Sequence, residues 1–250
     1  EQKNNAEKTL LLHSSEIIAL LEKTPAFDRG QIQLTLETIT RGQEQDLERF
    51  GDGSVLKSLQ TTEELDDYTY RVAGCVGEFW THLTRHHCFP EAILDDSRFL
   101  TLAIRFGKAL QLINILRDIP EDLRFGRCYI PGHTLDEIGL ESSDLLLAEN
   151  MEKFRPLYDQ YLDQASIHLD AAVEYIGMLP YRQFRLRGAC MLPVLIGQRT
   201  ISLLRTNNVL DSENRVKVLR PEINELIRKT KRSLIIPGGS KRLLRSNRNL

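Results

Sequence analysis

Cysteine pairing is absent: Cys75, Cys88, Cys128 and Cys190 are dispersed over the 250 residues, with no CxxC and no framework spacing. That excludes a disulfide scaffold and predicts reduced thiols in an intracellular protein, with a cytoplasmic location. No run reaches the roughly 20 apolar residues of a membrane span. The nearest approach, residues 186–204, carries Arg187, Pro193, Gln198 and Arg199. The opening EQKNNAEK is polar and is no signal peptide; it also lacks Met, which predicts missing residues upstream. No segment alternates like a strand, and no Gly-rich fingerprint for a nicotinamide cofactor is visible. A formal net charge of −2 gives no global argument for nucleic acid as a partner.

What remains is helix. Apolar positions recur with helical period from residue 5 to residue 23, where Leu10, Leu11, Ile17, Ile18 and Leu21 supply the apolar set and Thr24-Pro25 is the stop. A second helix is predicted over 29–50, ended by Gly51-Asp52-Gly53. Its last turns, RGQEQDLERF, read as a solvated helix end, with Asp46 on a face beside Arg41, Gln45 and Glu48. Thr61 and Glu64 form a capping-box pattern opening a third helix over 63–87. The centre of that helix is apolar or small all round, with Gly74 and Gly77 at i and i+3. Each glycine costs about 1 kcal/mol against alanine there, so something must approach the backbone closely: another helix, or a ligand. His82 and His86 at i and i+4 make a zinc site conceivable, but its other ligands would have to come from the helix end itself in poor geometry, so they read as polar helix-end residues.

Asp95-Asp96-Ser97 caps a fourth helix, and Thr134 with Glu137 suggests a cap for a short one. A long helix over 149–179 ends at Pro180, and Asp159 and Asp163 in it read as a solvated face. A nearly all-apolar helix over 181–206 should kink at Pro193, and Pro221 opens a short amphipathic helix. After Leu226 there is no Asp or Glu, while Arg228, Lys229, Lys231, Arg232, Lys241, Arg242, Arg245 and Arg248 are basic. Residues 234–250 are expected to form a loose basic tail, either a solubilising segment or a peripheral membrane contact. Residues 1–233 then form one all-α domain with two or three buried helices.

The chemistry concentrates in residues 106–131, FGKALQLINILRDIPEDLRFGRCYIP. Gln111, Asn114, Asp118 and Asp122 fall at intervals of three, four and four, within roughly an 80° arc of one helix. The same face runs back through Gly107, Ile104 and Leu100, so the carboxylates extend an apolar stripe instead of opposing it. Oxygen-only ligands suit a hard cation such as Mg²⁺, shared with substrate phosphates. Arg117, Arg124 and Arg127 around the pair suit phosphate. Carboxylates for metal, arginines for phosphate and an apolar groove together describe a prenyl diphosphate. The competing reading is a salt-bridged helix end.

Two blocks resemble the head-to-head trans-prenyltransferases, the family of squalene, phytoene and dehydrosqualene synthases. YTYRVAGCVGEFW (residues 68–80) is similar to the family's YxYxVAGxVG helix, and LQLINILRDIPEDLRFGRCYIP to its second aspartate-rich motif. LRGACMLPVLIG fits the family's last core helix less specifically. The resemblance spans about residues 29–207. It implies an isoprenoid-synthase helical bundle around an apolar cavity, and Mg²⁺-dependent condensation of two farnesyl diphosphates through presqualene diphosphate. Reduction by NADPH would give squalene; phytoene, dehydrosqualene or hydroxysqualene are alternatives, as is a non-catalytic scaffold member. Carried over by position, Asp118, Asp122 and Asn114 would hold Mg²⁺, and Tyr68 would sit near the reacting carbons. Gln111, Arg117, Arg127 and Tyr129 would meet the diphosphate end, with Val72, Ala73, Val76, Gly77, Ala103 and Gly107 along the prenyl channel. The family's first aspartate-rich motif is not found before Tyr68, where Asp46 stands alone. These residues by themselves are therefore expected to ionise a first farnesyl diphosphate poorly.

Overall fold

The computed structural model describes residues 4–247, so Arg248 lies outside the described residues. The single helix expected over 5–23 is two, α1 (Asn5–Leu12) and α2 (Ser14–Glu22), broken at His13. Neither buries a residue, and Leu10, Leu11, Ile17 and Ile18 are exposed instead of serving a core. Helix α3 (Ala26–Phe50) ends at Gly51, whose φ of 64° is reached at little cost only without a side chain. It buries Gly42, Asp46 and Phe50, one residue per turn, as a stripe against the rest of the bundle.

Helix α4 (Thr62–Thr69) opens as predicted: the Thr61 hydroxyl accepts from the Glu64 amide at 3.3 Å. It continues without a break through a π-turn (Tyr70–Gly74) into α5 (Cys75–Cys88). An inserted residue of this kind widens one turn of helix and recurs at functional sites. Helix α6 (Asp96–Arg124) is capped by Asp95, which accepts from the Arg98 amide at 3.0 Å. Two short strands, β1 (Lys57–Ser58) and β2 (Arg127–Cys128), pair in parallel, Lys57 opposite Arg127. Helix α7 (Gly132–Glu137) starts at Pro131. The Thr134 hydroxyl does not cap it but bonds the Pro131 carbonyl and the Tyr161 hydroxyl.

Helices α8 (Met151–Met178), α9 (Phe184–Thr206) and α10 (Arg220–Ile235) complete the bundle, with Pro156, Pro193 and Pro221 where the sequence puts them. Helix α6 is its axis: Ala109, Leu112, Ile113, Leu116 and Ile119 are buried against its neighbours, and Tyr158 of α8 donates to the Leu116 carbonyl at 3.0 Å. Among the described residues, α6 and not residues 186–204 is the helix long and apolar enough to cross a bilayer, and half of its most apolar stretch is buried inside the bundle. Residues 234–250 were expected to be loose. Instead α11 (Gly239–Ser246) docks on α9: Leu244 is buried, and the Asn247 amide donates to the Leu195 carbonyl and to Gln198 Oε1, both at 3.1 Å.

Candidate active site

An apolar pocket of about 430 Å³ lies along α6. The π-turn contributes Val72 and Ala73; α5 contributes Val76, Gly77 and Trp80; α6 contributes Ala103, Phe106, Gly107 and Leu110. Tyr175 of α8 and Ala189, Cys190 and Pro193 of α9 complete the wall, and Gln111 and Asn114 carry the lining toward the polar turns of α6. The structure thus brings together all six residues assigned to the prenyl channel. Ile104 and Leu100, on the same helical stripe, do not reach it. Ile104 packs toward Gly74, and Leu100 lines a separate recess with Phe27 and His82.

The glycines of this wall have a different reason from making room for a prenyl chain. A β-carbon on Gly77 would lie 2.1 Å from the Ala103 carbonyl oxygen, and one on Gly107 would lie 2.1 Å from that of Ala73. Two helices cross backbone to backbone here, and the pocket opens beside the crossing.

At the polar end the two aspartates have different surroundings. Asp118 accepts from Arg117 at 2.9 and 2.5 Å, and from Arg215 of the α9–α10 loop at 2.7 Å. Arg215 also pairs with Glu121 at 3.0 Å. Burial pushes the Asp118 carboxyl up, but the bonds from Arg117 and Arg215 outweigh it and hold the group below its usual range. No donor meets the Asp122 carboxylate among the described residues. Burial first, then Asp118, Glu121 and Asp46, push its carboxyl up to about 7 against the opposing charge of Arg127.

Facing this end from α3 is Asp46, which is buried at 6% exposure rather than solvated. Its Oδ2 accepts from Arg127 Nη1 and from the Tyr129 hydroxyl, each at 2.9 Å. Tyr129 stacks on Tyr68 with ring centroids 4.6 Å apart, and Phe50 meets Tyr129 edge-on at 5.3 Å. Burial raises both tyrosine hydroxyls, and the Asp46 charge adds to that, so both stay protonated donors. Arg127 and Tyr129 therefore turn toward Asp46, and Tyr68 is held against them. Asp46 is the residue that the sequence reading missed. The available signal was its register with Gly42 and Phe50 at steps of four.

Does this end suit Mg²⁺? Its donors are all oxygen, one carboxylate lacks a donor, and three further carboxylates raise that group's proton affinity, which a cation would relieve. Asp46 Oδ1 is also buried without a partner. Among the described residues no three His, Cys, Asp or Glu side chains form a complete metal cage. The residues fit part of an oxygen clamp for a hard cation, whose other ligands would have to come from outside this set. Elsewhere, His86 stacks on Phe27 at 4.1 Å and His87 bonds Asp28 at 2.7 Å. Asp159 and Asp163 pair with Arg155 and Arg205.

The squalene/phytoene synthase family model matches residues 15–222. The bifunctional lycopene cyclase/phytoene synthase of Leptosphaeria maculans is 35% identical over 147 residues, 58% of this chain and 24% of that protein. The 15-cis-phytoene synthase of Synechocystis sp. is 36% identical over 120 residues, 45% of this chain and 35% of that protein. The matched region is thus about a quarter to a third of the length of these curated relatives. Among solved structures, TcSQS bound to the ligand BPH1237 superposes with a TM-score of 0.81 at 20% identity, covering 98% of this chain and 67% of that one. A dehydrosqualene synthase with a ligand gives a TM-score of 0.65 at 22% identity, covering 80% and 65%. Those likenesses establish the fold, and with the family model matched over most of its length this chain belongs to the squalene/phytoene synthase family and has the all-α isoprenoid-synthase architecture.

Proposed function

We propose that the pocket along α6 holds a prenyl diphosphate for Mg²⁺-dependent head-to-head condensation. Two farnesyl diphosphates would join through presqualene diphosphate, and NADPH would reduce the product to squalene. The observation that carries this reading is an apolar pocket whose lining reaches Gln111 and Asn114, on the same helix that carries Asp118 and Asp122 one and two turns further on. Asp118, Asp122 and Asn114 would hold the metal, which when bound supplies neutralising charge to the departing diphosphate. Arg117 and Arg215 would exchange the Asp118 carboxylate for diphosphate oxygens. Val72, Val76, Phe106 and Pro193 would keep water from the allylic cation, and the faces of Trp80 and Tyr175 would stabilise it. Tyr68 would orient the reacting end from beside Asp122. No residues are assigned to NADPH.

Phytoene is the second reading, supported by the phytoene synthase names of the curated relatives. The deciding experiment incubates the full-length protein and Mg²⁺ with farnesyl or geranylgeranyl diphosphate, with and without NADPH, and identifies the hydrocarbon. Squalene only with NADPH supports the first reading, and phytoene from the C20 substrate supports the second. No consumption of either would favour a non-catalytic scaffold. We further propose that the outward basic faces of α10 and α11 meet an anionic membrane. Ile235, 79% exposed, sits among them. Flotation with phosphatidylglycerol but not phosphatidylcholine vesicles is the expected result, and equal flotation with both would sink the idea.

A further inference from the structure

Asp46 belongs to neither block that carries the family resemblance, yet it organises the polar end. We propose that Asp46 is a positioning residue that keeps Arg127 away from Asp122, leaving Asp122 open to a divalent cation. This rests on the reading of the pocket as a metal and diphosphate site.

The stripe of α3 aims Asp46 inward. At Gly42, one turn before it, the Arg71 β-carbon comes within 2.9 Å of where a side chain would begin. Phe50, one turn after it, packs on Tyr129. Held between those contacts, the Asp46 carboxylate has little freedom to move. Its Oδ2 receives both the Arg127 guanidinium and the Tyr129 hydroxyl. Asp122 lies in the last turn of α6, five residues before Arg127, and bonds no donor among the described residues, whereas Asp46 takes Arg127 Nη1 at 2.9 Å. Three of the buried side-chain atoms without a partner, Gln45 Oε1, Asp46 Oδ1 and Arg49 Nη1, fall within one turn around Asp46. A carboxylate kept for packing alone would be expected to have both oxygens satisfied. Here one oxygen serves Arg127 and Tyr129 and the other has no partner, while burial pushes the carboxyl up against the bond from Tyr129 and the charge of Arg127.

The role separates from simple packing through Arg127. In Asp46→Asn the shape is kept, but the single amide oxygen carries no charge and the amide nitrogen repels the guanidinium. Arg127 then finds its next anion at Asp122. The experiment is Mn²⁺ binding to the full chain, read by electron paramagnetic resonance at saturating inorganic diphosphate. The expected result is D46N weakened about 10- to 100-fold, the scale of one charge-assisted hydrogen bond, with its melting temperature unchanged or raised. D46N/R127A should recover most of the Mn²⁺ affinity. Wild-type affinity in D46N, or a double variant no better than D46N, overturns the role of Asp46 while leaving the pocket's function standing. A wild type that binds no Mn²⁺ overturns both.

Discussion

With its carboxyl pushed up to about 7, Asp122 is close to half protonated at neutral pH. The folded value lies above the ordinary one of 3.8, so the folded state binds the proton more tightly than the unfolded chain. The resulting stabilisation is fully present below about pH 4 and is lost as pH rises through about 7. Asp122→Asn abolishes that dependence. Discounted for solvent screening, the variant should gain roughly 1–2 kcal/mol over the wild type at pH 8 and almost nothing at pH 4. Thermal melts across this range check it, and parallel profiles for the two proteins would contradict it. Turnover with Mg²⁺ should fall by about 100-fold or more in the same variant. Asp122 was legible because Gln111, Asn114, Asp118 and Asp122 announce a shared face by spacing alone. Asp46 was not, since the charged neighbours in RGQEQDLERF read as solvent contact. Its donors, Arg127 of β2 and Tyr129 just after it, are 81 and 83 residues away, beyond any local window.

Among the elements, the crossing of α5 on α6 sets the pocket wall. Gly77→Ala and Gly107→Ala each drive a β-carbon into a carbonyl oxygen of the facing helix, and each should cost about 3 kcal/mol in urea unfolding. Gly30→Ala is the control: nothing lies within 4 Å of its would-be β-carbon in the second turn of α3, so it should stabilise by about 0.5–1 kcal/mol. If the crossing variants were as stable as the control, the close approach would not matter. The sequence made the cost of these glycines visible and left open whether a helix or a ligand explained it. Only the facing carbonyls decide that. Helix starts were legible where a side chain caps them, at Thr61 and Asp95. The break at His13 and the π-turn carry no such signal.

At the scale of the molecule, the basic C-terminal segment is part of the bundle. Its charge density hid an amphipathic period in which Leu243 and Leu244 face α9 and its neighbours while Lys241, Arg242 and Arg245 face out. Deleting residues 238–250 should remove about 2–4 kcal/mol, lowering the melting temperature by roughly 5–15 °C. An unchanged melt would return the segment to a solubilising role. A second consequence is kinetic and comes from β1 and β2. Their pairing, with Gly53 and Gly126 packed backbone to backbone beside it, joins segments far apart in the chain, so a long loop must close before it rewards folding. Trp80, the single tryptophan, reports on the pocket wall. In stopped-flow fluorescence, Leu116→Ala should slow refolding, whereas Gly126→Ala should mainly speed unfolding. The junction that brings Arg127 and Tyr129 to Asp46 is then the last part to form and the first to open, so gentle heating should silence turnover before the bundle melts.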